Sequence, residues 1–247
     1  MKKAKHSKQA MPVPAPAQPQ PATSNSANDL TEIVFILDKS GSMDAIKSDA
    51  IGGFNSFLST QKDLGDNALL TLVLFDDKVN TIHNGVPIKD VSPLDDKTYY
   101  PSGMTALCDA IGMTLDKIGS RLSETNATIP DKVIVAILTD GEENSSKEYI
   151  GGDRIKDMIQ LYKDKYNWEF LFLAANQDAI KSAAKYNIDA TKSASFAYDS
   201  NGLRNVYASL CSTVSSYRTT GNADLKPTTV VQDFTDLLNG GDENVQQ

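Results

Sequence analysis

An α/β fold of three layers, with a doubly wound, mostly parallel sheet and one antiparallel edge strand, is what this sequence predicts. Three observations carry that expectation. Short apolar runs alternate with longer segments whose apolar residues recur every three or four positions, the pattern of strands followed by covering helices. Two of the apolar runs end in aspartate, Asp38 and Asp140, just before polar stretches containing glycine, as strands do where a parallel sheet turns its carboxyl ends toward a ligand. The connection Asp76-Asp77-Lys78 is too short for a crossover and implies a hairpin.

TEIVFILD, residues 31–38, reads as a central strand. After a serine- and glycine-containing loop, Ile46, Ala50, Phe54, Phe57 and Leu58 fall on one helical stripe. ALLTLVLF at 68–75 returns to the sheet, and the hairpin delivers an antiparallel edge strand at 79–83. Leu107, Ala110, Ile111, Thr114, Leu115, Ile118 and Leu122 make a second helical face ahead of the strand KVIVAILTD at 132–140. A third helix is expected over about 147–163, because Ile155, Met158, Ile159 and Tyr162 share a side, although Gly151-Gly152 blurs its start. WEFLFLAA at 168–175 is the next buried strand, followed by a short helix over 178–186 and a weak last strand over 194–197. Leu203, Val206, Tyr207, Leu210, Val214 and Tyr217 close the domain with another stripe, and no repeat of fixed period is present.

The 247 residues divide into three stretches. Residues 1–29 set Lys2, Lys3, Lys5 and Lys8 against Asp29, then run through MPVPAPAQPQPATSNSAN; with so little apolar material, a disordered, basic and proline-rich arm is expected. Residues 30–217 form the domain, and 218–247 a polar tail in which VVQDFTDLL has enough Val, Phe and Leu for a short docking helix. The charges of the two ends cancel, so the formal net charge of −8 resides in the body, which argues against a nucleic-acid-binding core. MKKAKHSKQAMPVPAPAQ lacks the continuous apolar stretch of a secretory signal, and no run approaches the ~20 apolar residues of a membrane span, so a cytoplasmic protein is expected. Cys108 and Cys211 are too few and too isolated for a disulfide scaffold or thiolate cluster and read as small, buried or half-buried side chains.

The loop Asp38-Lys39-Ser40-Gly41-Ser42-Met43 supplies one carboxylate and two hydroxyls from a compact turn, with Gly41 easing the backbone path. Thr105 follows Ser102-Gly103-Met104 at the next loop-to-helix junction, and Asp140 precedes Gly141, so three loops distant in sequence can converge on one rim. In these motifs, DKSGSM at 38–43, the threonine of SGMTALCDA at 102–110 and LTDGEEN at 138–144, the chain resembles the von Willebrand factor type A (vWA) family and its metal-ion-dependent adhesion site, MIDAS. The resemblance runs from Thr31 to about Tyr217 and implies a vWA-like, Rossmann-like fold.

It also implies that Ser40, Ser42 and Thr105 offer hydroxyl oxygens to a divalent cation, which Asp38 and Asp140 hold directly or through water. Hard oxygen ligands in a near-octahedral shell suit Mg²⁺; Mn²⁺ is an acceptable substitute, and Ca²⁺ needs a larger, looser shell. The absence of His and Cys from the set disfavours Zn²⁺. A position left open on the ion would accept an Asp or Glu carboxylate from a partner protein. Each residue also has a plain structural reading: Asp38 as a strand end, Ser42 and Thr105 as helix caps, Asp140-Gly141 as a turn.

Other polar residues carry weaker signals. Asp76 and Asp77 fit a hairpin turn. Asp109, four residues beyond Thr105, is spaced to orient the site from behind. Glu142 and Glu143 read as a solvated acidic rim able to tune partner choice. His83 lies on the edge strand and His6 in the arm, neither with a visible triad partner, while Trp168 and Phe170 read as core. The leading function is therefore a metal-dependent protein-binding module for adhesion or assembly, recognising an acidic side chain. A structural protein with a loop-ordering cation is one alternative; a metal-assisted hydrolase is another, for which the sequence offers neither a P-loop nor a general base.

Overall fold

The computed structural model describes residues 29–175 and 179–225. In chain order these form β1 (Thr31–Asp38), α1 (Lys47–Asp63), β2 (Ala68–Phe75), β3 (Val79–Pro87), α2 (Leu107–Leu122), β4 (Lys132–Thr139), α3 (Asp153–Tyr166), β5 (Glu169–Ala174), α4 (Ala179–Lys185), β6 (Ser193–Ser195) and α5 (Ser200–Thr220). A 3-10 turn over Gly41–Ile46 leads into α1. The sheet order is β3-β2-β1-β4-β5-β6; all neighbours are parallel except β2 and β3. The doubly wound sheet with its antiparallel edge strand is thus the architecture the sequence predicts.

Every residue of β1 and β2 is buried, because helices cover both faces of the sheet. The strand period of two then sorts the side chains. Ile33, Phe35 and Leu37 pack with Phe54 and Leu58 of α1 and with Leu203, Leu210 and Val214 of α5. Val34 and Ile36 pack on the other side with Ile111 and Leu115 of α2 and Ile155 and Ile159 of α3. The α1–α5 approach depends on Gly53, where a Cβ would lie 2.2 Å from the Tyr207 ring.

Several boundaries differ from the sequence reading for identifiable reasons. The third helix starts at Asp153, not near 147, because Gly151 and Gly152 sit at φ +87° and +78°, outside helical space. β3 extends to Pro87, since its ladder with the buried β2 continues past a register irregularity. The last strand is Ser193–Ser195, and α5 continues through Thr220, so Arg218 belongs to the folded body. That arginine is buried and donates to the carbonyls of Gln61 and Gly65 at the end of α1, at 2.5 and 2.8 Å, and to Asn67 Oδ1 at 3.0 Å. The sequence readings for 1–28, for VVQDFTDLL and for Asp178 fall outside the described residues.

At the amino ends of the strands, Glu32 is fully buried and binds the Arg121 guanidinium through both carboxylate oxygens at 2.5 and 2.6 Å. Thr71 donates to Glu32 Oε1 at 2.7 Å and accepts from the Gly85 amide at 2.9 Å, so one ion pair ties together β1, β2, β3 and α2. Among the described residues no helix is long and apolar enough to cross a membrane.

The chain leaves β1 toward β2 and later returns through α2 to β4 on the other side of β1. The crevice between the carboxyl ends of β1 and β4 is therefore the point where the winding direction reverses, the place where such sheets bind ligands. Asp38 ends β1, and Asp140 follows β4 directly.

Candidate metal centre

Asp38 is fully buried and its three oxygens are all engaged. Its Oδ1 accepts the Ser40 amide at 2.7 Å, its Oδ2 accepts the Thr139 hydroxyl at 2.6 Å, and its carbonyl accepts the Tyr99 hydroxyl at 2.7 Å. The first of these bends the chain out of β1. Burial, only partly offset by the Thr139 and Ser40 bonds and reinforced by the charge of Asp140, pushes the Asp38 carboxyl up to about 6.

The Ser40 and Ser42 hydroxyls lie 3.1 Å apart, and both point to Asp140 Oδ1, at 3.5 and 2.9 Å. Asp140 Oδ2 is buried and has no hydrogen-bond partner. Burial raises the Asp140 carboxyl as well, against the bond from Ser42. A buried acceptor of this kind calls for a proton, a water or a cation.

Thr105 reaches the same rim by a different route. Its amide donates to Asn144 Oδ1 at 2.8 Å and its carbonyl accepts the Asn144 amide at 3.0 Å, which clips the Thr105 loop to the segment after Asp140. A Cβ at Gly141 would lie 3.1 Å from Thr105 Oγ1, so the hydroxyl rests against the Asp140-Gly141 turn. The structure thus joins Asp38, Ser40, Ser42 and Asp140 in one hydrogen-bonded group with Thr105 beside it.

A second network locks the loops together beneath. The Gly41 amide donates to the Gly103 carbonyl at 3.2 Å, the Ser102 amide to the Lys39 carbonyl at 2.9 Å, and the Ala106 amide to the Asp76 carbonyl at 2.8 Å. Asp76 does close the hairpin turn, accepting the Lys78 amide at 2.8 Å, but it is also buried, pairs with the Lys39 ammonium and accepts the Ser102 hydroxyl at 3.0 Å. Burial alone would raise its carboxyl; Lys39, Lys78 and Ser102 together hold it below the usual range. Gly103 is required here, with φ +67° and a would-be Cβ 2.3 Å from Asp77 Oδ1.

Three sequence readings need correcting. Glu143 is no solvated rim: its Oε2 accepts the Cys108 amide at 2.7 Å in the first turn of α2, and its Oε1 accepts the Ser145 and Ser146 amides at 3.0 and 2.8 Å. Among the described residues the Asp109 carboxylate is hydrogen-bonded to neither Thr105 nor Asp140; it accepts the amides of Lys147, Glu148 and Tyr149 at 2.7, 2.9 and 2.8 Å and so shapes the loop ahead of α3. Neither Ser42 nor Thr105 caps a helix: Ser40 precedes the 3-10 turn and Ala106 precedes α2, both without a side-chain cap. Their hydroxyls are not spent on helix ends.

Sequence reasoning missed Thr139, Asn144, Tyr99 and Tyr198. Tyr198, from the β6–α5 connection, donates its hydroxyl to the Ser42 carbonyl; burial and then the charges of Asp140 and Asp44 push its pKa up, making the phenol a weaker acid. Only Thr139 had a local signal, standing next to Asp140 at the end of β4. Among the described residues no group of three or more His, Cys, Asp and Glu gathers, so the set offers two carboxylates and hydroxyls. Cys108 is buried, with its thiol pushed up to about 11 chiefly by burial, and is no nucleophile at neutral pH.

No family model matches the chain, and no curated protein is significantly similar to it. Solved structures do resemble it. The PilB minor pilin from Streptococcus sanguinis matches with a TM-score of 0.54 at 12% identity, over 78% of this chain and 63% of that one. Proximal thread matrix protein 1 from the mussel byssus, solved with a zinc-occupied MIDAS motif, matches with a TM-score of 0.50 at 17% identity, over 75% of this chain and 46% of that one. This chain spans less than two thirds of either structure. At such identities the likeness is one of fold, and the fold is vWA-like.

Proposed function

We propose that this chain is a non-catalytic vWA-like module holding one divalent cation among Asp38, Ser40, Ser42, Thr105 and Asp140, and that the cation's first role is to order the three loops that supply them. The observation that carries this reading is the buried, partnerless Oδ2 of Asp140 in a group of hydroxyls and a second buried carboxylate. The set fits Mg²⁺, with Mn²⁺ or Ca²⁺ as substitutes; the zinc-occupied motif of the byssus protein makes Zn²⁺ a necessary comparison. Loop ordering has the better support because the five residues come from three separate loops and Asp38 is sealed from solvent, out of a partner's reach.

The second reading is metal-dependent adhesion, in which an Asp or Glu of a partner protein completes the shell. It is favoured by the exposure of Gly41, Ser42, Gly103 and Met104 along the same rim. Calorimetric Mg²⁺ titration of the chelator-treated chain and of Asp140→Ala, with amide exchange over 38–43, 102–106 and 140–146, tests the first reading. Binding at one site that slows exchange in all three loops, and is lost in a still-folded Asp140→Ala, is expected. Exchange unchanged by saturating Mg²⁺ would overturn loop ordering.

A further inference from the structure

The metal face carries an apolar rim that neither role of the cation requires. Tyr100 is 66% exposed, Met104 54% and Tyr198 44%, and all three belong to segments that meet at the site. Tyr100 follows Tyr99, whose hydroxyl holds the Asp38 carbonyl, and its ring lies 5.5 Å from the Lys47 ammonium. Met104 stands between Gly103, which accepts the Gly41 amide, and Thr105. Tyr198 is fixed over the Ser42 carbonyl by its hydroxyl. Three large, exposed apolar or aromatic side chains on segments that converge on one site mark a candidate contact surface.

The charges of the face narrow the occupant. Asp44 and Glu142 are exposed beside the group, near Tyr198 and Asp140 respectively. Among the described residues neither forms an ion pair; of the cations near this face, Lys39 is matched with Asp76 and Lys47 with Asp96, while Lys185 lines a pocket together with Glu142. A divalent cation would be offset by Asp38 and Asp140, leaving Asp44, Asp77 beside Gly103, and Glu142 as acidic groups outside that balance.

We propose that this face is a docking surface for an extended protein segment in which a carboxylate is flanked by aromatic or large apolar residues and, beyond them, by Lys or Arg. The central carboxylate rests on the adhesion reading above. The flanking preferences are set by Tyr100, Met104 and Tyr198, and by Asp44 with Glu142. Aromatic side chains suit such a rim because they bury large area at a small entropic cost. Basic flanks answer the acidic excess of this rim and would speed encounter.

Fluorescence anisotropy with labelled synthetic peptides on the full chain tests this. The probes are Lys-Phe-Asp-Phe-Lys, the same peptide with Asn at the centre, and Gly-Ser-Asp-Ser-Gly, each in saturating Mg²⁺ and in chelator. The first should bind about ten-fold more tightly than the third, a difference of ~1.4 kcal/mol. Met104→Ser and Asp44→Asn should each erode that preference while calorimetric Mg²⁺ affinity stays unchanged. Equal binding of the two Asp peptides, or no binding of any probe, overturns the rim proposal. If the Lys-Phe peptides bind equally with Asp or Asn at the centre and without Mg²⁺, the adhesion reading fails while the rim stands.

Discussion

Replacing Asp38 by Asn removes a charge from the most enclosed position of the site while keeping its shape. In the metal-free protein Asp38 titrates near 6 instead of 3.8. The folded chain therefore holds this proton more tightly than the unfolded chain between about pH 4 and 6. The stabilisation from the bound proton is fully present below about pH 4 and is lost as pH rises through about 6. A shift of about 2 units at ~1.4 kcal/mol each makes ionised Asp38 about 3 kcal/mol costly at pH 7.5. Asn avoids that cost and can be accommodated: its oxygen accepts the Ser40 amide, its amide donates to Thr139, and the Thr139 hydroxyl turns to the Gly141 carbonyl, already 3.1 Å away. In chelator at pH 7.5 Asp38→Asn should unfold about 5 to 10 °C above the wild type, the two converging near pH 4. Added Mg²⁺ should raise the wild type and leave the variant unmoved. Thermal unfolding by circular dichroism across pH 4 to 8 decides it. A variant less stable than the wild type in chelator at pH 7.5, or one equally stabilised by Mg²⁺, would refute the reasoning.

The same burial predicts that Mg²⁺ affinity falls below about pH 6, because protons compete for Asp38; calorimetry at pH 5 and 7.5 should show the difference, and equal affinities would remove Asp38 from the ion. Thr105→Ala should weaken Mg²⁺ about ten-fold with little change in chelator-state stability, since its hydroxyl caps no helix. Unfolding together with weakened binding would make Thr105 structural instead. Arg121→Ala strands the fully buried Glu32 and should cost about 3–5 kcal/mol in urea denaturation without touching Mg²⁺ binding. A loss under about 1 kcal/mol would mean that water reaches Glu32.

The sheet was legible because its strands are covered on both faces. TEIVFILD, ALLTLVLF and KVIVAILT are nearly unbroken apolar runs, and their order with the helical stripes leaves few ways to wind the chain. The helix starts were harder. Residues 147–150 have acceptable helical composition, yet the amides of Lys147, Glu148 and Tyr149 go to Asp109, forty residues away in sequence for Tyr149, and no local pattern reveals such a bond. Of the site, the residues that stand at strand ends or in the glycine-containing loops could be named in advance. Asn144, Tyr99 and Tyr198, which orient that group, could not, because each acts through a backbone group placed by tertiary packing. Glu143 was misread for the same reason: a run of two glutamates after a glycine looks solvated until the first turn of α2 is brought against it.

The energetics of the two aspartates bear on why the group exists. Both carboxyls are raised by burial, and Asp38 is sealed behind Tyr99 and Thr139, so in the absence of a counter-charge the fold is strained by its own site. An amide at position 38 would fill the same space and keep the Ser40 turn at lower cost. The carboxylate is thus a liability to the bare domain and an asset only when positive charge arrives. Lys39 does not supply it, being committed to Asp76. A mobile cation at the β1–β4 crevice, as proposed above, would resolve the imbalance, and in doing so it would link the order of three loops, and of the aromatic rim they carry, to the concentration of that ion.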